Sequence, residues 1–217
     1  TLSSSSAASD VFKRQAHNVS LIPVPGRYIF SQAWYQGGLS IVDFTDSSNP
    51  VEIAFFDRGP LDEEELITAG YWSTYWYGGH IYATEIARGL DVFSLEASDY
   101  LSENEIAAAS LQDANVTVNA QTQERVTWPA IPVVARAYVD QLQRDENVDT
   151  QQLQSLRRVL DEAESLLDNS SSDSNVATEL DSFANAIQDQ SSSNSGLKRD
   201  RYISLASTLR GIAGKLR

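Results

Sequence analysis

The sequence predicts a chain of β plus α class with its two kinds of structure in separate domains. Short antiparallel strands fill the first half, and a small antiparallel helical bundle closes the chain. Three observations carry this. β-branched and aromatic residues gather in short runs bounded by Gly, Pro, Asn and Asp over the first hundred residues. One strand–turn–strand unit recurs, since Gly38-Leu39 and Gly89-Leu90 open matching runs 51 residues apart (89 − 38 = 51). Beyond Pro132 the apolar residues change to steps of three and four, the spacing of a helix with one buried stripe.

Taken in order, residues 1–10 (TLSSSSAASD) read as a loop, and residues 11–20 (VFKRQAHNVS) as a strand with His17 near its middle. Pro23, Pro25 and Gly26 mark a turn. Residues 28–35 have strand density, and Gly37-Gly38 supplies a hairpin turn. Residues 39–44 (LSIVDF) follow with Leu39, Ile41 and Asp43 on one face and Val42 and Phe44 on the other. Residues 45–50 (TDSSNP) cap their own backbone as a turn, and residues 51–56 (VEIAFF) return as a strand. After the acidic stretch 57–65 comes an aromatic cluster, Tyr71, Trp72, Tyr75, Trp76 and Tyr77; residues 80–85 and 89–95 then repeat the earlier strand pair. Repetition at this period, in units of four short strands, marks β-propeller-type blades, and two of them span residues 1–98.

Residues 101–111 (LSENEIAAASL) predict a short helix within a linker, 99–131, that Pro129 helps to close. Val116 and Val118 alternate briefly inside that linker. In 132–217, Val134, Tyr138 and Leu142 share one helical face. Asp149 with Gln152 forms a capping pair for a helix through Leu167, with Leu153, Leu156, Leu160, Ala163 and Leu167 as its stripe. Val176, Leu180, Phe183 and Ile187 form the next stripe, and Leu205, Leu209, Ile212 and Leu216 the last. Short polar connections make these four helices antiparallel neighbours.

The chain has 217 residues, 41% of them hydrophobic, enough to bury a core. Its formal charge of −14 argues against nucleic acid or an anionic membrane as partner, because phosphates are held by cationic surfaces. Without cysteine there is no disulfide, thiolate metal site or cysteine nucleophile. No apolar run is long enough to predict a transmembrane segment. The opening ten residues lack the basic and apolar regions of a signal peptide, and the absence of methionine predicts a processed chain or a piece of a longer protein.

Leu39-Ser40-Ile41-Val42-Asp43, followed by Asn49-Pro50-Val51-Glu52, resembles the LVIVD repeat of secreted bacterial and archaeal propellers. Arg88-Gly89-Leu90-Asp91-Val92-Phe93 is similar to the same repeat without the trailing Asn-Pro. The resemblance covers residues 12–97 and implies the C-terminal end of a propeller, with upstream blades of the same chain as partners of these two. The stretch 132–217 resembles the FIMAH domain, a helical module at the C-termini of secreted bacterial proteins. It does so at residues 160–163 (LDEA), 180–187 (LDSFANAI) and 206–212. Together these imply an extracellular protein, with a protein or cell-surface ligand as partner.

The chain has two histidines. His17, on an inner strand of a blade, is a candidate metal ligand; the competing reading is a hydrogen-bonded structural histidine, because zinc or copper needs three or four ligands. His80 opens a strand and is expected at the surface. Asp43, Asp46 and Asn49 do not have the spacing of a calcium loop and read as turn caps. Residues 62–65 (DEEE) read as a solvated loop. The aromatics around Trp72, with Trp34 and Tyr35, could stack on sugar faces but are expected to fill the packing between blades. Arg88 is expected to stack on Trp34 or pair with Asp91. The sequence contains no nucleophile elbow, phosphate loop or dinucleotide fingerprint. Asn18, Asn115 and Asn169 begin glycosylation-type triplets.

The expectation is therefore a secreted, non-enzymatic binding or scaffold protein with no cofactor required by this segment. Two alternatives stand beside it. One is a part of a metal-dependent propeller enzyme using His17 in its channel, and the other is cell-surface attachment through the helical tail.

Overall fold

The computed structural model describes residues 15–65, 67–111, 126–144 and 149–217. The expected loop over residues 1–10, the alternation at Val116 and Val118, and Asn115 lie outside them. Two sheets form from seven strands: β1 (Gln15–Ile22), β2 (Ile29–Tyr35), β3 (Leu39–Asp43) and β4 (Val51–Phe56) in the first, β5 (Tyr71–Tyr77), β6 (His80–Glu85) and β7 (Gly89–Phe93) in the second. Both are antiparallel meanders in chain order. Five helices follow: α1 (Glu103–Ser110), α2 (Pro132–Arg144), α3 (Thr150–Asp168), α4 (Ser174–Ser191) and α5 (Gly196–Lys215). No helix among the described residues is long and apolar enough to cross a membrane.

The 51-residue repeat is carried into the strand register. Phe30, Ser31, Gln32 and Ala33 pair with Val42, Ile41, Ser40 and Leu39. Adding 51 to each number gives Ile81, Tyr82, Ala83 and Thr84 paired with Phe93, Val92, Asp91 and Leu90, which is the pairing found in the second sheet. The first hairpins correspond too, each with a register shift near its outer end, between Ala16 and Val19 and between Tyr71 and Ser73. The strand β4 has no counterpart, because the chain leaves β7 for α1.

The two sheets pack on each other around Ile22, Ile29, Ala33, Leu39 and Ile41 from the first and Tyr71, Trp76, Ile81 and Ala83 from the second. At the centre the hydroxyls of Ser31 and Thr74 meet at 2.9 Å, fully buried. β5 is an edge strand whose N–H groups are satisfied by side chains of β1: Thr74 N donates to Asn18 Oδ1 (2.7 Å) and Trp76 N to Ser20 Oγ (2.9 Å).

In the helical part, α2 touches α3 and α5, α3 touches α4, and α4 touches α5, so the four helices close around one core. The expected stripes form that core, with Leu167 and Phe183 at its margin. Asp149 caps α3 as expected by accepting from Gln151 N and Gln152 N, but Gln152 does not reach back. Its side-chain oxygen instead accepts from Gln190 Nε2 at 2.9 Å, because α4 offers a donor across the bundle.

The stretch expected as a linker carries the joint between the two parts. Ser102 and Glu105 form a capping box at the start of α1. Ala108 of α1 belongs to the helical core and Ala109 to the sheet core. Beside them lies a buried ionic cluster. Arg27, in the turn before β2, donates to Asp43 through Nη2 (2.6 Å) and Nε (3.1 Å), and through Nη1 to Tyr100 O (2.7 Å) and Glu105 (2.9 Å). Arg144 of α2 donates to the same Glu105 oxygen at 2.7 Å, and Gln141 Nε2 donates to Pro25 O at 2.7 Å. The Arg27 and Glu105 side chains are 5% and 0% exposed.

Removing one member of such a cluster leaves the others charged and buried, so Arg27→Met is expected to cost about 3–5 kcal/mol in urea unfolding. Gly38→Ala is expected to destabilise by about 1–3 kcal/mol, because a Cβ there collides with the carbonyl of Phe56 and pushes β4 from β3. Burial pushes the Asp43 carboxyl up, but hydrogen bonds from Thr45 and Arg27 outweigh it and hold the group below the usual range. With the folded value depressed, the unfolded chain binds more protons in the interval between the two values, so stability rises with pH through it. The Asp43 contribution is whole above the ordinary carboxylate value of about 3.9 and fades as pH falls below it. The gap in urea midpoint between the natural chain and Asp43→Asn should therefore narrow on acidification below about pH 4.

Candidate functional site

Where the two sheets meet at one end they enclose a cleft of about 300 Å³, lined among others by Asp57, Arg58, Gly70, Tyr71, Glu85 and Arg88. The chain builds it by joining Tyr35 to Gly70 in an isolated bridge. Gly70 has φ +86°, and a Cβ there would strike the backbone of Trp34 and Gln36, so only glycine allows the approach. Gln36 itself adopts φ +50°. It is held there by donating from its backbone N to Ala69 O (2.9 Å) and from Nε2 to Ile67 O (2.7 Å).

Two charge constellations fix the lining side chains Glu85, Arg88, Tyr71 and Arg58. Buried Glu85 accepts from the backbone N–H of Gly70 (3.0 Å), Ala87 (2.8 Å) and Arg88, and lies 3.5 Å from the Arg88 guanidinium. It pins the β6–β7 turn to the start of β5. In the second, Asp91 Oδ2 accepts from the Tyr71 hydroxyl (2.5 Å) and from Arg58 Nη2 (2.7 Å), while that guanidinium lies over the Phe56 ring at 5.4 Å. The hydrogen bond from Tyr71 holds the Asp91 carboxyl below the ordinary range against the opposing effect of burial, and Arg58 adds to it. Burial, with the Asp91 carboxylate beside it, pushes the Tyr71 hydroxyl well above the ordinary tyrosine value. Near neutral pH the tyrosine is thus a fixed donor and the aspartate a fixed anion. A general acid or base needs a pKa near the working pH, so this pair is suited to holding polar groups rather than to moving protons.

The candidates read from sequence fall elsewhere. His17 lies on β1, exposed, with Nδ1 donating to Trp72 O at 2.5 Å and its ring against Tyr35 and Trp72. Among the described residues no three His, Cys, Asp or Glu side chains are grouped to hold a metal ion. His80 is exposed at the head of β6, its Nδ1 donating to Gly78 O. Asp46 caps its own turn through Ser48 N, Asp43 belongs to the Arg27 cluster, and Asp62 caps the backbone of Glu64 and Glu65 in an exposed loop. Asn18 serves β5, and Asn169 Nδ2 donates to Ser165 O at 2.7 Å.

Two expectations are corrected. The aromatic cluster divides: Tyr71 and Trp76 enter the core, whereas Trp72, Tyr75 and Tyr77 stand at the surface, because β5 has one buried side. Arg88 turns to Glu85, and it is Arg58 that pairs with Asp91. Arg58 sits in a stretch dominated by acids; its place just past the end of β4 and before Gly59-Pro60 is the one signal the sequence offers for it.

Tyr71→Phe removes the principal donor to Asp91, so the Asp91 carboxyl should titrate closer to the ordinary aspartate range in carbon-detected NMR. The same variant is expected to lose about 2 kcal/mol of stability, the worth of a buried hydrogen bond to a charged group.

Compared with protein-family models, with curated proteins and with solved structures, the chain matches none.

Proposed function

We propose that this chain is a binding scaffold: two terminal blades of an LVIVD-type β-propeller, followed by a FIMAH-like helical module, in a protein that works outside the cell. The observation that carries the reading is the 51-residue repeat kept pair for pair in the strand register of both sheets. A repeat that preserves register while changing nearly every side chain is selecting for stacked sheets, the construction of a propeller. The chemistry on the strands agrees with binding. Of the cleft's lining, Glu85 is held by backbone donors and Tyr71 and Arg58 are fixed by Asp91, so the cleft presents fixed polar groups to a ligand. The acidic charge of −14 suits a soluble surface protein whose partner is not polyanionic.

Attachment through the helical tail finds less support, since Leu197 is the one large apolar side chain exposed on α2 to α5 among the described residues. The enzyme alternative is tested directly. Elemental analysis of natively purified protein is expected to find no stoichiometric transition metal, and His17→Ala to leave metal content unchanged. A metal present at one per chain and lost with His17→Ala would replace the scaffold reading with a metal-dependent one.

A further inference from the structure

The two sheets are copies of one unit, but they do not meet through like faces. The register that relates them puts Tyr82 where Ser31 stands (31 + 51 = 82). Thr74, paired with Ala83, takes the place of Val19, paired with Gln32 (83 − 51 = 32). The side chains that touch at the centre of the chain, Ser31 and Thr74, therefore lie on opposite faces of the shared unit. One sheet offers its face and the other its back.

Among the described residues, that arrangement leaves one of each uncovered. The face that the first sheet buries through Ile29, Ala33, Leu39 and Ile41 is open in the second, where Tyr75, Tyr77, Leu90 and Val92 are 56%, 62%, 63% and 52% exposed. Tyr75, Tyr82 and Val92 stand directly opposite one another across its three strands. The back that the second sheet buries through Trp76, Ile81 and Ala83 is open in the first, where Val19, Leu21 and Phe55 are 51%, 64% and 75% exposed. Both surfaces are apolar and free of like-charge rows, on a molecule that is otherwise strongly acidic.

We propose that a second copy of this 217-residue chain covers them, in the place that upstream blades would take in a longer chain. The open face of the second sheet in one copy seats on the open back of the first sheet in the next, repeating between copies the packing that joins the two sheets within one. The inference rests on reading the sheets as successive copies of one unit, as the proposed function does. A contact between unlike surfaces is heterologous, so it propagates from copy to copy until it closes. Closed propellers hold about four to eight such sheets, so closure takes about two to four copies. Because each copy is strongly acidic, salt screens their repulsion and strengthens the assembly, opposite to an ion-paired interface.

The equivalence names a contact to test: Tyr82 of one copy lies against Val19 of the next, where Ser31 meets Thr74 within a chain. The chain contains no cysteine, so introduced thiols are unique. A mixture of Val19→Cys and Tyr82→Cys chains, mildly oxidised, should give a disulfide-linked pair of twice the 23.9 kDa chain, and neither variant alone should give it. Sedimentation of the natural chain should show concentration-dependent association that grows with salt, and Leu90→Asp or Leu21→Asp should each abolish it. Both exposed-site variants are expected to melt as the natural chain does, which separates lost association from lost folding. A natural chain that stays monomeric at its highest soluble concentration would overturn the proposal, as would equal linkage in single-variant samples, the signature of like-to-like docking. Metal content enters neither readout, so failure of the scaffold reading and failure of this one are told apart.

Discussion

The arrangement of the molecule depends on the buried guanidinium of Arg27. It is held by Asp43 at the end of β3, by Tyr100 O and by Glu105 of α1, and Glu105 is shared with Arg144 of α2. Four segments far apart in sequence thus converge on two charges shielded from water. Burying such charges is costly unless every donor and acceptor is matched, and here the planar fork of arginine meets two carboxylates and a carbonyl. Apolar packing alone would let the helices slide on the end of the sheets. A matched ionic cluster permits one position, and Ala108 and Ala109 then divide themselves between two cores.

The sheets show a second kind of constraint. Register is retained through four successive ladder pairs between β2 and β3 and between β6 and β7, while nearly every side chain differs. The consequence is directional. A unit whose face fits the back of its own copy has, at each end of a pair, a surface of the same kind still open. Three tyrosines of β5 and β6, Tyr75, Tyr77 and Tyr82, lie on the open face of the second sheet, whereas Tyr71 and Trp76 pack into the core against Ile29, Ala33 and Ile41 of the first. The second sheet therefore carries large apolar side chains on both of its sides.

The cleft between the sheets is electrically quiet for the number of charges in its walls. Arg58 answers Asp91 and Arg88 answers Glu85, and the backbone N–H groups around Glu85 complete its shell. Tyr71 stays a donor and Asp91 an anion across the neutral range, and the hydrogen bonds around Glu85 fix its position in space. The Tyr71–Asp91 pair is thus suited to holding polar groups rather than to moving protons.

Much of this was legible in the sequence. Leu39, Ile41, Gly38 and Gly89 marked the repeat, and the stripes Leu153–Leu156–Leu160 and Leu205–Leu209–Ile212 marked the bundle, because period and turn chemistry are local properties that residues carry with them. The short helix over residues 101–111 was legible as well, though the use of Glu105 both in its capping box and as an ionic hub came only with the structure. What only the tertiary structure decided were the long-range pairings: Arg27 with Glu105 across 78 residues, Arg58 with Asp91 across 33, and Gln141 with Pro25 across 116. It also decided which tyrosines of β5 face water. Strand alternation states that neighbouring residues point to opposite sides, but which side is covered depends on the one sheet packed against it, and that is set by contacts distant in the chain.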